Sequence, residues 1–163
     1  MAQLAPPDIE VNLHDGLGEL PLFNPDLEGD YPATVLSFHR AIAESDALII
    51  ASPEYAHGVT GTIKNALDWL VGFEPFAAKM VAVLNTSARA QHADAALRET
   101  LNAMATIIVE SASITIPLLG AGLDEAGMLA SPEVAGSIRD TLSALAQAVR
   151  ARQTPAAVKF PLD

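Results

Sequence analysis

The 163-residue chain has no cysteine. That excludes disulfides, thiolate metal sites, iron–sulfur clusters and cysteine nucleophiles. Basic residues are scarce: 9 Lys and Arg stand against 20 Asp and Glu, a formal net charge of -11. Such a surplus repels phosphate backbones and anionic lipid, so nucleic acid and membrane surfaces are poor partners. No apolar run approaches the length of a membrane span. Met1 to Asp8 lacks the basic and apolar regions of a secretory signal, so a cytoplasmic protein is expected. Internal repeats and low-complexity tracts are absent. What is present is apolar material for one core. Hydrophobic residues make up 50% of the chain, and a domain of this size buries roughly 70% of its unfolded surface.

Two short apolar runs, Ala47 to Ala51 and Met80 to Leu84, end in turn-prone residues. Runs without alternation belong to strands covered on both faces, as in a parallel sheet between helices. Ile9, Val11 and Leu13 alternate with polar residues and predict a half-covered edge strand. A fourth strand is expected within Thr106 to Ile116, its main part at Ile114 to Ile116 or just before. Helical spacing recurs in Val35, Phe38 and Ile42, with Pro32 in the first turn. It recurs in Ile63, Ala66, Leu67, Leu70 and Val71, and again in Leu97, Leu101 and Met104. Ser131-Pro132-Glu133 opens a last helix with the stripe Val134, Ile138, Leu142, Leu145 and Val149. Alternating strands and helices predict a doubly wound α/β domain over residues 1–152. Gln153 to Asp163, with two prolines and no cap, is expected to be a tail. The long segment Asp15 to Tyr31 is either functional or a plain surface excursion.

In an open α/β sheet, ligands bind at the carboxyl ends of the strands. The loops Ser52 to Gly61 and Asn85 to His92 occupy that position. Glycines in the first allow close backbone approach to a flat ligand, and the helix start that follows favours an electron-rich one.

The stretch Ser52-Pro-Glu-Tyr-Ala-His-Gly-Val-Thr-Gly-Thr-Ile-Lys-Asn-Ala-Leu-Asp-Trp-Leu70 resembles the signature of the NADPH-dependent FMN reductases. These flavodoxin-like proteins include quinone, chromate and azo-dye reductases, and the similarity extends from about Ile9 to about Val149. Gly18 to Leu27 resembles the family's segment after its second strand. Asn85 to Ala93 sits where the family has its loop after the fourth strand. The resemblance implies a flavodoxin-like three-layer sandwich with a mostly parallel sheet, and FMN and NADPH as cofactors. Pro53, Glu54, Tyr55 and Ala56 would wrap the isoalloxazine, largely through backbone groups. Thr86, Ser87 and Ala88 would lie against its other side or its pyrimidine edge. The flavin carries the hydride chemistry, so no catalytic side chain is implied. A small acceptor such as a quinone and a homodimer or homotetramer are implied as partners.

The chain also departs from the pattern. The family's first strand and its phosphate loop, G-S-x-R-x-x-S, should lie upstream of Ile9 and are absent. Either the Ile9 strand pairs directly with Ala47 to Ala51, or a neighbouring chain fills the gap, or the natural protein is longer. Ala88-Arg89-Ala90 stands where many members have glycines. Losing three or four charge-assisted bonds of roughly 1.5–3 kcal/mol each predicts weak or absent FMN binding.

Other constellations are weaker. Ser52, His57 and Asp68 lack the G-x-S-x-G elbow of a hydrolase. His14, His39, His57 and His92 lack metal-ligand spacing. Trp69 reads first as packing or oligomer contact, Lys64 as a partner of Asp68, and His57 and Arg89 as solvated side chains. Two functions remain open: a flavin-dependent oxidoreductase, or a flavodoxin-like binding or structural domain impaired in catalysis.

Overall fold

A computed structural model describes residues 1–116, 118 and 120–153. Its sheet has three parallel strands, β1 (Ala47–Ala51), β2 (Met80–Leu84) and β3 (Ile107–Ile108), in the order β1-β2-β3. The helices are α1 (Ala33–Glu44), α2 (Gly61–Asp68), α3 (Gln91–Ala103), α4 (Glu125–Ala130) and α5 (Pro132–Gln153). The two apolar runs form β1 and β2 over their full predicted lengths, with Ala47 opposite Met80 and Ala51 opposite Leu84.

The register explains why neither run alternates. Leu48, Ile50, Val81 and Val83 pack among residues of α1, α2 and α3. Ala47, Ile49, Met80 and Ala82 pack on the opposite side, against Leu145 and its neighbours on α5. A sheet covered on both faces loses the polar half of the strand pattern. β2, between two strands, is buried along its whole length, whereas β1 is half-buried. No second strand pairs with β1 among the described residues. The result is the flavodoxin-like three-layer arrangement.

Two strand expectations need correction. Ile9 to Leu13 forms no strand. Ile9 and Val11 do turn inward, joining Met1, Leu4 and Ile49 around the α5 side of the core, but Leu13 is 91% exposed. Alternation records one covered face and says nothing of a pairing partner, and the segment does not join β1. The second correction concerns Thr106 to Ile116. The paired strand is Ile107–Ile108, and the Ile114 to Ile116 region contributes only an isolated parallel bridge, Thr115 opposite Asn85. A 3₁₀ turn at Glu110–Ala112 diverts the chain between them. Ser113 bridges the interruption: its hydroxyl accepts the Val83 N–H at 3.0 Å and donates to the Val109 carbonyl at 2.9 Å. A buried ladder donor would otherwise be orphaned.

The helical stripes are buried as spaced: Val35, Phe38 and Ile42 on α1, Leu97 and Leu101 on α3, and Val134, Ile138, Leu142 and Leu145 on α5. Pro32 occupies the position just before α1. Ser131 accepts the Val134 N–H at 3.4 Å, as its place before Pro132 implied. The α2 stripe holds through Ala66, Leu67 and Leu70, but the helix ends at Asp68 and leaves Val71 58% exposed. α4 has no sequence stripe; Asp124 caps it through the Gly127 N–H at 2.7 Å. α5 includes Gln153, and the rest of the expected tail, residues 154–163, lies outside the described residues. None of the described helices is long and apolar enough to cross a membrane.

Candidate functional site

The carboxyl ends of β1 and β2 lie side by side, because Ala51 is paired with Leu84. The loops leaving them, Ser52 to Thr60 and Asn85 to Ala90, are therefore neighbours. Every residue expected to hold the cofactor, Pro53, Glu54, Tyr55, Ala56, Thr86, Ser87 and Ala88, sits on one or the other.

In the first loop the chain doubles back at Tyr55-Ala56-His57-Gly58. Tyr55 N–H donates to the Gly58 carbonyl and Gly58 N–H to the Tyr55 carbonyl, both at 3.0 Å. Ala56 and His57 have φ of 50° and 61°, the left-handed pair a two-residue primed hairpin turn needs. Neither is glycine, and each such residue stores roughly 1–2 kcal/mol. The glycines that follow, Gly58 and Gly61, do not carry the left-handed backbone. The bend faces solvent: Tyr55 is 69% exposed. Thr60 ends the loop by capping α2, accepting the Ile63 N–H at 3.2 Å.

The second loop is organised by Asn85, which is buried. Its side-chain amide donates to the Ala90 carbonyl at 3.1 Å, and its oxygen accepts the Ser87 N–H at 2.9 Å. Ser87 Oγ in turn accepts the Arg89 N–H at 3.2 Å. Thr86 and Ala88 are left exposed at the rim. Asn85 was missed from sequence as a determinant of this site. The available signal was an asparagine directly after an apolar strand, where its side chain can bond its own downstream backbone.

Glu54 links the two loops. Its Oε2 accepts the N–H of Ala93, in the first turn of α3, at 2.8 Å. Its Oε1 lies 3.4 Å from Nδ1 of His57, whose ring meets that of His92 edge-on at 4.4 Å. The Ala93 N–H bond, opposed by burial and aided by the charge and the backbone N–H of His92 and by the charge of His57, holds the Glu54 carboxyl below its ordinary range. The hollow between the loops, lined by Ser52, Asn85, Ala90 and Ala93, has a volume of about 10 Å³. A flat ligand would rest across the loops rather than enter them.

A cleft of about 360 Å³ lies at the other end of the sheet, around Asp46, Lys79 and Arg152. Its cations already have partners: Lys79 Nζ donates to the Ser45 carbonyl and Arg152 to the Ala78 carbonyl, each at 2.6 Å. Burial lowers the Lys79 pKa, with Asp46 opposing. It lies at the amino ends of the strands, away from the ligand position of open α/β sheets.

The remaining signature residues are structural. Asn65 and Trp69 both donate to the Pro21 carbonyl, at 3.0 and 2.8 Å, and Asn65 Oδ1 accepts the Phe23 N–H at 2.8 Å. They anchor the long segment Asp15 to Tyr31 onto α2. Lys64 pairs with Asp68 one turn on along α2. Ser52 Oγ donates locally to the Pro53 carbonyl at 3.2 Å.

Comparisons with known proteins agree with this arrangement. The family model described as NADPH-dependent FMN reductase matches residues 1–118. A 2-hydroxy-1,4-benzoquinone reductase of Burkholderia sp is 38% identical over 90 residues, covering 53% of this chain and 49% of that protein. An NAD(P)H-dependent FMN reductase of Pseudomonas aeruginosa is 33% identical over 156 residues, covering 90% of this chain and 82% of that protein. Among solved structures, FerB, a flavoenzyme NAD(P)H:(acceptor) oxidoreductase from Paracoccus denitrificans, superposes with a TM-score of 0.68 at 26% identity. That superposition covers 83% of this chain and 78% of FerB. The chain spans about half the length of the first curated relatives it matches. Its adjoining loops at the ends of β1 and β2, its signature helix and its matched length together make the chain a member of the NADPH-dependent FMN reductase family.

Proposed function

We propose that the chain is a flavin-dependent NAD(P)H oxidoreductase, moving two electrons from NADPH through FMN to a small acceptor such as a quinone. The observation that carries this reading is the juxtaposition of two loops by the Glu54–Ala93 bond, with backbone donors left free along them. Among the described residues, the N–H groups of Ala56, His57 and Ala88 donate to no protein group. A flavin ring edge carries carbonyl oxygens and ring nitrogens that such donors match. Pro53, Glu54, Tyr55 and Ala56 would supply the backbone on one side, and Thr86, Ser87 and Ala88 the rim on the other. The names of the relatives support the quinone acceptor.

The fit is to the ring and stops short of the phosphate. The described residues bring no glycine-rich loop to these two bends. The exposed Arg89 offers one cation. When bound, FMN supplies hydride acceptance and its passage to the acceptor. The chain's own residues place the ring edge and keep its rim open to solvent for NADPH and acceptor to reach. A homodimer or homotetramer belongs to the same proposal, supported by the edge of β1 that no other strand pairs among the described residues, since open edges recruit partners. A cytoplasmic location accompanies it, because the reaction draws on a soluble nicotinamide donor.

The experiment is NADPH oxidation with a quinone, with and without added FMN. Quinone-dependent oxidation that rises with added FMN supports the reading. No oxidation at saturating FMN contradicts it and favours a flavodoxin-like binding or structural domain.

A further inference from the structure

We propose that Glu54 is a positioning residue: its carboxylate supplies, from the loop after β1, the N-terminal cap that α3 lacks, and so fixes the spacing of the two loops. The consequence for the cofactor rests on the flavin reading above; the latch itself does not.

A helix leaves its first N–H groups without partners inside the helix. They are ordinarily met by the side chain of Ser, Thr, Asp or Asn at the position just before the helix, which accepts from its second or third residue. Before α3 that position is Ala90, which has no acceptor, and α3 has no local side-chain cap. The third residue of α3 is Ala93, and its N–H is the one taken by Glu54 at 2.8 Å, across 39 residues of sequence. A carboxylate is also the favoured partner for the positive end of a helix dipole.

The burial pattern agrees. The Glu54 side chain is 14% exposed, while that of His57, three residues on, is 76% exposed. Both carboxylate oxygens are engaged within the chain, one on Ala93 and one on His57. What the loop offers outward is backbone together with the Tyr55 and His57 side chains. Among the described residues, the hydrogen bonds that tie Pro53 to Val59 to anything beyond the adjacent Ser52 are those the Glu54 carboxylate accepts from the start of α3, Ala93 N–H foremost with His92 N–H beside it. The bend beyond it is held in a left-handed conformation at two non-glycine residues, so an unlatched loop has strain to release by moving.

The test measures amide hydrogen exchange at Ala93 in the cofactor-free protein, then FMN affinity by fluorescence titration. Glu54→Ala is expected to speed Ala93 exchange at least about tenfold while the amides of β2 keep their protection. Glu54→Gln, which retains an acceptor oxygen, should restore most of the protection. Glu54→Asp falls one methylene short and should loosen Ala93 like the alanine variant; it decides the matter if Glu54→Ala does not fold. FMN affinity should fall about tenfold in Glu54→Ala and recover in Glu54→Gln, with the acceptor KM rising more than kcat falls. Unchanged Ala93 exchange in Glu54→Ala overturns the proposal. So does a freed Ala93 with unchanged FMN affinity, because the latch would then position nothing. If the unaltered chain binds no FMN, the flavin reading fails, and Ala93 exchange alone decides the latch.

Discussion

The indole Nε1 of Trp69 donates to the carbonyl of Pro21 at 2.8 Å, across 48 residues of sequence. Trp69 is 2% exposed, with Phe23 edge-on to its ring at 5.1 Å. The most conspicuous aromatic of the signature thus anchors the long segment before α1. Trp69→Phe keeps most of the ring volume and removes the donor. Pro21 retains its bond from Asn65, so the loss should be about 1 kcal/mol in urea denaturation. Combining it with Asn65→Ala strips the carbonyl of both donors and should exceed the sum of the single changes.

Strain at the bend gives a change of opposite sign. Ala56 sits at φ 50°, where asparagine is tolerated far better than alanine. Ala56→Asn should raise stability by roughly 0.5–1 kcal/mol, while Ala56→Val should lower it. Thermal melts of the three proteins check the order.

Core and rim can be separated within the helical stripes. Leu101 is fully buried on α3, and Leu101→Ala should cost about 2–5 kcal/mol. Val71 belongs to the α2 stripe by spacing but lies beyond the helix end and is 58% exposed. Val71→Ala should stay within about 0.5 kcal/mol.

These contrasts show what sequence could reveal. β1 and β2 were legible to the residue because burial on both faces erases polar positions, leaving runs of fixed length. Ile9 to Leu13 was misread because one covered face gives the same alternation with or without a neighbouring strand. The 3₁₀ turn at Glu110–Ala112 was visible only as a polar break, and the rescue of the ladder by the Ser113 hydroxyl was not visible at all. At the site, the two loops were identified by their place after apolar strands and by family resemblance. The Glu54–Ala93 bond was hidden by 39 residues of separation; its one trace was an alanine where a helix cap should stand. The left-handed bend was hidden because neither Ala56 nor His57 is a residue that announces it.

The Glu54 latch makes stability depend on pH. Its carboxyl is held below the ordinary value of 4.5, first by the Ala93 N–H, with His92 of α3 and His57 of its own loop adding attraction. A carboxyl lowered in the folded state contributes stability that is fully present above its unfolded value. That contribution fades as pH falls through the lowered value. Wild type should therefore exceed Glu54→Gln in stability at neutral pH, and the difference should shrink below about pH 4.5. Denaturation curves at several pH values measure it.

Cofactor preference tests whether the described residues at these two loops hold the ring without a phosphate cradle of their own. Ring contacts alone do not distinguish FMN from riboflavin, so their dissociation constants for this chain should agree within about tenfold. A built phosphate site would separate them by roughly a hundredfold or more, since each charge-assisted bond is worth about 1.5–3 kcal/mol.

The central claim is that a flavin lies across the loops leaving β1 and β2. The most direct measurement is a map of backbone amide shifts as FMN is titrated into labelled protein. The account predicts shifts at Ala56, His57, Ala88 and Ala93. Shifts confined to Asp46, Lys79 and Arg152, around the large cleft at the opposite end of the sheet, would contradict it.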